Sequence, residues 1–166
     1  MSTLGHASPT SFGVAASEVA VRRVRTAAEF AAVLAVRRRV FGDEQRLALG
    51  VADADDDRAI HALALLPTAA GPLPIGTGRL VLGAGSRGEG QIAWVASLPA
   101  YRGRGVGTAL MRFLLAAADE AGAPLVALSA QTHALPFYRR LGFFPRGERF
   151  IVRGIEHQWM ARSRHA

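Results

Sequence analysis

Between Tyr101 and Thr108 the chain reads Arg102–Gly103–Arg104–Gly105–Val106–Gly107, three glycines and two arginines in one short run. The apolar stretch before it, Ile92–Leu98, reads as a strand. The stretch after it carries Val106, Leu110, Leu114 and Ala117 on one side of a helix over residues 105–121, which Gly122 and Pro124 bring to an end. The first N–H groups of a helix have no intrahelical partner and sit at the positive end of its dipole. Glycine lets the backbone curve closely around a bulky group, and guanidiniums add charge-assisted hydrogen bonds. A strand–turn–helix unit of this kind is a site for a di- or polyphosphate. A solvated surface turn uses the same residues, and the hexapeptide alone does not choose between the two.

Composition narrows the setting. At 166 residues, half of them hydrophobic, the chain fits one domain with a sizeable core and not a disordered segment. We divide it into a flexible tail over residues 1–17, rich in Ser, Thr, Gly and Ala, and a folded domain over 18–166. Arg, Asp or Gly interrupts every apolar run before it reaches membrane-spanning length, and the first residues lack the pattern of a secretory signal. The absence of cysteine rules out disulfides and thiolate metal ligands. We expect a cytoplasmic protein with no metal and no membrane partner. The net charge is +7, and all 20 basic residues are arginine. They are scattered and lack interleaved aromatics, so nucleic acid is not an expected partner. An anionic ligand accounts for part of the charge.

Reading along the chain, residues 18–25 form a first strand. Thr26–Ala27–Ala28–Glu29 is a capping box, followed by Phe30, Val33, Leu34, Arg37 and Val40 at helical spacing, so a helix should run to about Phe41. Residues 41–57 read as a loop or short helix closing on an acidic cluster, Asp53–Asp57. Two strands follow, residues 58–66 and 75–83, then the strand over 91–98 and the phosphate loop with its helix. A buried strand over 125–130, a short helix around Tyr138 and a strand pair, 143–151 and 155–162, complete the order β-α-(α)-β-β-β-α-β-α-β-β. Gly83–Ala84–Gly85–Ser86–Arg87–Gly88 matches a dinucleotide fingerprint, but a strand follows it where a helix is required, so it reads as a hairpin loop.

The run Val95–Met111, VASLPAYRGRGVGTALM, resembles the coenzyme A-binding segment of the GNAT N-acetyltransferase superfamily, in which Arg102, Gly105 and Gly107 fit R/Q-x-x-G-x-G/A. Gln131–Phe143, QTHALPFYRRLGF, resembles the family's N-x-x-A-x-x-F-Y-x-x-x-G-F segment, with Gln131 in place of Asn. Pro136 falls in the first turn of that short helix, and Gly142 fits its end. Val40–Gln45, Asp53–Asp57 with His61, and Gly154–Met160 are similar to segments of the ElaA-like branch; the likeness extends over about residues 25–162. Two departures stand out: Gly42–Asp43 replaces a usually apolar pair, and Ser97 a usually apolar residue.

The resemblance implies an α/β GNAT fold, a mixed, mostly antiparallel central sheet flanked by helices. It implies acetyl-CoA as cosubstrate, held by the strand residues Val95, Ala96 and Ser97, by the loop Arg102, Gly103, Arg104, Gly105, Val106, Gly107 and Thr108, and by Gln131. It further implies a primary amine on a small molecule or peptide as acceptor, with a backbone N–H near Ala96–Ser97 polarising the thioester carbonyl. Tyr138 is the implied acid for the departing thiolate, although a tyrosine there also fits a core ring with its hydroxyl tied to backbone. Glu44 and His133, with His61 and His157 behind them, are the candidates for the base. The acidic cluster attracts a cationic amine, holds a cation, or is a solvated loop; it lacks the spacing of a calcium loop. A homodimer is among the oligomeric options. A CoA-binding sensor or interaction module without turnover is the alternative to an enzyme.

Overall fold

The computed structural model describes residues 18–46 and 50–164. The expected N-terminal tail lies outside the described residues. Seven strands, β1 (Ala20–Arg23), β2 (Ile60–Leu66), β3 (Leu73–Ala84), β4 (Glu89–Ser97), β5 (Leu125–Gln131), β6 (Phe144–Val152) and β7 (Ile155–Ser163), form one sheet in the order β1-β2-β3-β4-β5-β7-β6. All neighbours are antiparallel except β4 and β5, whose parallel pairing requires the crossover helix α2 (Val106–Glu120).

Helix α1 (Ala27–Arg37) starts as the sequence predicts. The Thr26 hydroxyl accepts from the Glu29 backbone N–H at 3.1 Å, and the Glu29 carboxylate accepts from the N–H of Thr26 at 3.2 Å and of Arg25 at 2.7 Å. It does not stop near Phe41. The helix widens into a π-helical segment, Arg38–Glu44, in which the Gln45 N–H donates to the Val40 carbonyl five residues back at 3.1 Å. That wider turn breaks the 3.6-residue periodicity on which the sequence expectation rested.

Alternation along β2 separates the two faces of the sheet. Leu63 and Leu65 pack with Val33 of α1, whereas Ala62, Ala64 and Leu66 join the main core with Leu110 and Leu114 of α2. The helices therefore cover opposite faces. Gly76 and Gly78 of β3 allow α2 to lie close. A Cβ at Gly76 would stand 2.8 Å from a Val106 methyl, and one at Gly78 would stand 2.8 Å from a Leu114 methyl. The short helix α3 (Leu135–Arg140) carries Pro136 in its first turn, as expected.

Two irregularities in β4 shape the molecule. Thr77 pairs with Ala96 and Arg79 with Ala93, so β4 carries one extra residue around Trp94, whose φ is 56°. Past that bulge β4 leaves β5: the parallel pairing covers only Gly90–Ile92 against Val126–Leu128, while β5 continues beside β7 as far as Gln131 opposite His157. The two central strands diverge, and a cleft opens between them. The Gly83–Gly88 run joins β3 to β4 as a hairpin loop, as read from the sequence.

Candidate active site

The cleft between β4 and β5 encloses about 770 Å³. Its walls come from the bulged strand (Gln91–Ser97), the π-helical segment (Val40, Phe41, Glu44, Gln45), β5 (Leu128, Ser129, Gln131), the start of α3 (His133, Ala134, Tyr138) and the β6–β7 hairpin (Val152, Arg153, Ile155, His157). Because β4 has no partner on its β5 side beyond Ile92, backbone groups along that edge face the cleft.

A second cavity, about 440 Å³, adjoins the first at Val95, Ala96, Ser97, Arg102, Ala134 and Tyr138 and extends over Gly103, Gly105, Val106, Gly107 and Thr108. Gly105 caps α2 with φ 79°, a left-handed conformation that suits glycine. No side chain caps this helix, so its first amides remain open. Phe137 closes the loop from the far side and would lie 3.3 Å from a Cβ at Gly107. A concave run of open amides at a helix start, with no side chain filling it, fits a phosphate-bearing ligand.

Tyr138 lines both cavities. Its ring is set by edge contacts with Phe137, 5.0 Å between centroids, and Phe143, 6.0 Å. Burial pushes its hydroxyl up to about pKa 12, so it stays protonated at neutral pH.

Two of the sequence-derived candidates meet each other. The Arg102 guanidinium donates to both carboxylate oxygens of Glu44 at 2.7 Å and, through Nε, to the Ser97 carbonyl at 3.1 Å. This pairing holds the Glu44 carboxyl below its ordinary range, which weakens it as a base. Gln131 likewise engages a neighbour: its side-chain amide donates to Gln45 Oε1 at 3.0 Å. Arg104 lies with its guanidinium 5.9 Å from the Tyr101 ring centre and lines neither cavity. His133 is exposed at the cleft wall. His157 donates through Nδ1 to the Ile155 carbonyl at 2.8 Å, which leaves Nε2 as the acceptor nitrogen of the neutral ring.

His61 is not in the cleft. It is buried on β2, where Nε2 donates to the Asp56 carbonyl at 2.9 Å and Nδ1 faces Arg37 Nη2 at 3.4 Å. Burial pulls its pKa down and keeps the ring neutral. The acidic cluster divides: Asp57 is exposed and Asp55 pairs with the exposed Arg58 at 2.8 Å, as in a solvated loop, whereas Asp53 and Asp56 bind groups of the protein. Asp56 is buried, accepting three bonds from Arg37 and one from Arg79, and Asp53 accepts from Arg79 and, at 3.1 Å, from Trp94 Nε1. Asp53 and Asp56 are thus held by two buried arginines, Arg37 and Arg79, whose partners nothing in the sequence marks. Among the described residues no group of three His, Cys, Asp or Glu is placed to hold a metal ion, and no helix is long and apolar enough to cross a membrane.

Sequence reasoning missed Trp94, Gln45 and Arg153. Only Gln45 carried a signal, as the neighbour of Glu44; the left-handed φ of 56° at Trp94 and 52° at Arg153 has no mark in the sequence.

A seven-strand sheet splayed at β4 and β5, with an open helix start at one end of the gap, offers a strand edge and a set of free amides that suit a phosphate-bearing ligand. The sequence pattern of the Acetyltransferase (GNAT) family matches residues 37–143, and the chain belongs to that family of acyltransferases. It is 35% identical over 94 residues to Bacillus subtilis YjcF, described as an uncharacterized N-acetyltransferase; the match covers 56% of this chain and 65% of that protein. Its fold is similar to that of an acyl-CoA N-acyltransferase from Pseudomonas aeruginosa (TM-score 0.75, 29% identity, 87% of this chain and 98% of that one). It is similar too to Escherichia coli ElaA (TM-score 0.76, 26% identity, 87% and 99%).

Proposed function

We propose that this chain transfers the acetyl group of acetyl-CoA to a primary amine by direct attack, in the cytoplasm. The observation that carries this reading is the place of Tyr138, on the wall shared by the loop cavity and the larger cleft. That is where a cosubstrate anchored at the loop and an acceptor in the cleft would meet.

Acetyl-CoA, when bound, supplies the activated acyl group. The chain contributes the rest. The amides at the start of α2, with Gly103, Gly105 and Gly107 leaving room, hold the pyrophosphate and fix orientation far from the reacting carbon. The open edge of β4 around Ala96–Ser97 offers N–H donors to the oxygen that gains charge. Tyr138 holds a proton at Oη for the departing sulfur. His133 and His157, directly or through water, accept the amine proton; the arginine-bound Glu44 is the weaker base. In the balance of the reaction an N–C bond forms, the C–S bond breaks with its electron pair on sulfur, and one amine proton ends on the thiol. The chain has no cysteine to carry an acetyl intermediate.

Release of free thiol from acetyl-CoA in a screen of amines tests this reading. Tyr138→Phe keeps the ring and should lower kcat by about a hundred- to ten-thousandfold, the range of general acid catalysis, while CoA affinity measured by calorimetry stays near that of the parent. With Tyr138 protonated up to about pH 12, the rate should climb as the amine loses its proton and show no falling limb near neutrality. An unaltered kcat would assign Tyr138 to packing alone.

A further inference from the structure

Three residues other than glycine adopt left-handed backbone among those described: Arg46, Trp94 and Arg153. Trp94 and Arg153 line the cleft, and Arg46 directly follows the cleft residue Gln45. Strain of this kind persists where a side chain is needed, so its concentration around one cavity directs attention to what these side chains do there.

Arg153 is the most informative of the three. Val152–Arg153–Gly154–Ile155 joins β6 to β7 through a two-residue turn, with φ 52° at Arg153 and 79° at Gly154. Such a turn requires left-handed conformation at both central residues and favours Asn-Gly or Gly-Gly. An arginine is a strained choice at its first position. The other charges of the cleft are already matched. Glu44, the only carboxylate lining it among the described residues, is held by both ends of Arg102. Glu156, the nearest carboxylate to Arg153 in sequence, is bound to Arg149 at 2.9 Å. Among the described residues the cleft is therefore left with one uncompensated guanidinium, that of the exposed Arg153, and no free carboxylate to receive a second ammonium. The residues that flank the turn in the cleft wall, Val152 and Ile155, are apolar, and Phe41 lines the cleft from the π-helical segment.

We propose that the acceptor is a small amine that carries an anionic group on an apolar body, with Arg153 as the residue that binds the anion and sets this preference. The inference rests on the reading of the chain as an amine acetyltransferase and deepens it. Carboxylate and phosphonate are equivalent for a guanidinium, which forms paired bonds with either. Polyamines and amino sugars are disfavoured, because their extra positive charge would meet Arg153 with no carboxylate available to offset it.

The test compares kcat/KM, by thiol release from acetyl-CoA, for phenylalanine, phenylalaninamide, phenethylamine, an aminoalkylphosphonate and spermidine. The anionic amines should exceed the matched neutral ones by about ten- to a hundredfold, the effect of one hydrogen bond to a charged group. Comparison of the carboxylate with the phosphonate distinguishes the two sources of negative charge. Arg153→Gly restores the residue that the turn favours, so the variant should fold and keep its CoA affinity, while the ratio of anionic to neutral acceptor falls toward one. Equal use of neutral amines, faster use of spermidine, or an undiminished ratio in Arg153→Gly would overturn the proposal and leave the transferase reading intact. Failure of every amine to release thiol would overturn the transferase reading itself, and the anionic acceptor with it.

Discussion

Arg37 and Arg102 each grip a carboxylate with both ends of the guanidinium, and each also touches β4, but they do so in opposite surroundings. In the Arg37–Asp56 pair the side chains are 0% and 5% exposed; in the Arg102–Glu44 pair they are 44% and 39% exposed. Arg37 lies beneath the bulge, its guanidinium 4.9 Å from the centre of the Trp94 ring, and Asp53 ties the Trp94 indole N–H to Arg79. Arg102 holds the other end of the strand through the Ser97 carbonyl. Burial alone would raise the Asp56 carboxyl, but hydrogen bonds from Arg37, the Asp53 backbone and Arg79 more than offset it and hold it below the ordinary range. The buried cluster is also incomplete, since Nε of both Arg37 and Arg79 lacks a partner. A hydrophobic cluster of the same volume would avoid those unpaired donors, so the charges here contribute geometry, an extra residue held in β4, more than stability. The cleft pair costs little to open, and its partners are available to a ligand.

Asp56→Ala should break the buried half of this comparison with the largest effect. It leaves the buried Arg37 guanidinium without its carboxylate and Arg79 with Asp53 alone, and loss of one partner of a buried pair costs about 3–5 kcal/mol. The midpoint of urea unfolding reads this directly. If the loss is no larger than that of a surface substitution, the cluster is not confining the charges as described.

Acid should sharpen the comparison at intermediate size. Asp53 and Asp56 have native pKa values below their unfolded ones, so their contribution is complete above about pH 4 and is lost as pH falls through the native values. His61 is held neutral, so stability is present above about pH 6.5 and declines below it as the unfolded chain takes up the proton. Urea midpoints at pH 7.5, 5.5 and 3.5 should fall gently and then steeply. The same profile should persist in Glu44→Gln, because the exposed pair takes little part in it.

Glu44→Gln itself is expected to have the smallest effect, a change in stability below about 1 kcal/mol. Its consequence belongs to the site. With Arg102 released, CoA affinity at low salt should rise slightly and become more salt-dependent, as isothermal titration at two ionic strengths would detect. A large loss of stability would mean that the two clusters are alike after all.

The sequence made most of the fold legible. The capping box at Thr26, the Pro136 helix start and the strand order were read from local patterns, because caps, turns and periodicity act within a few residues. The glycine loop was legible for the same reason. The acceptor side was not. Arg37 stands at a helical core position and gives no sign of its partners, Asp56 and Trp94, which lie 19 and 57 residues along the chain. His61 is a candidate because its segment resembles one of the ElaA-like branch, whereas its place on a buried strand removes it from the cleft.

By itself, the sequence determined the family, the order of strands and helices, and the open helix start after the glycine loop, since each rests on short-range residue patterns. Only the tertiary structure decided where β4 leaves β5, which arginines are buried, that Glu44 is bound by Arg102, and that Arg153 stands unpaired at the cleft. Those outcomes depend on which charges meet after the sheet closes, and a charge's partner and its exposure to water exist only in three dimensions.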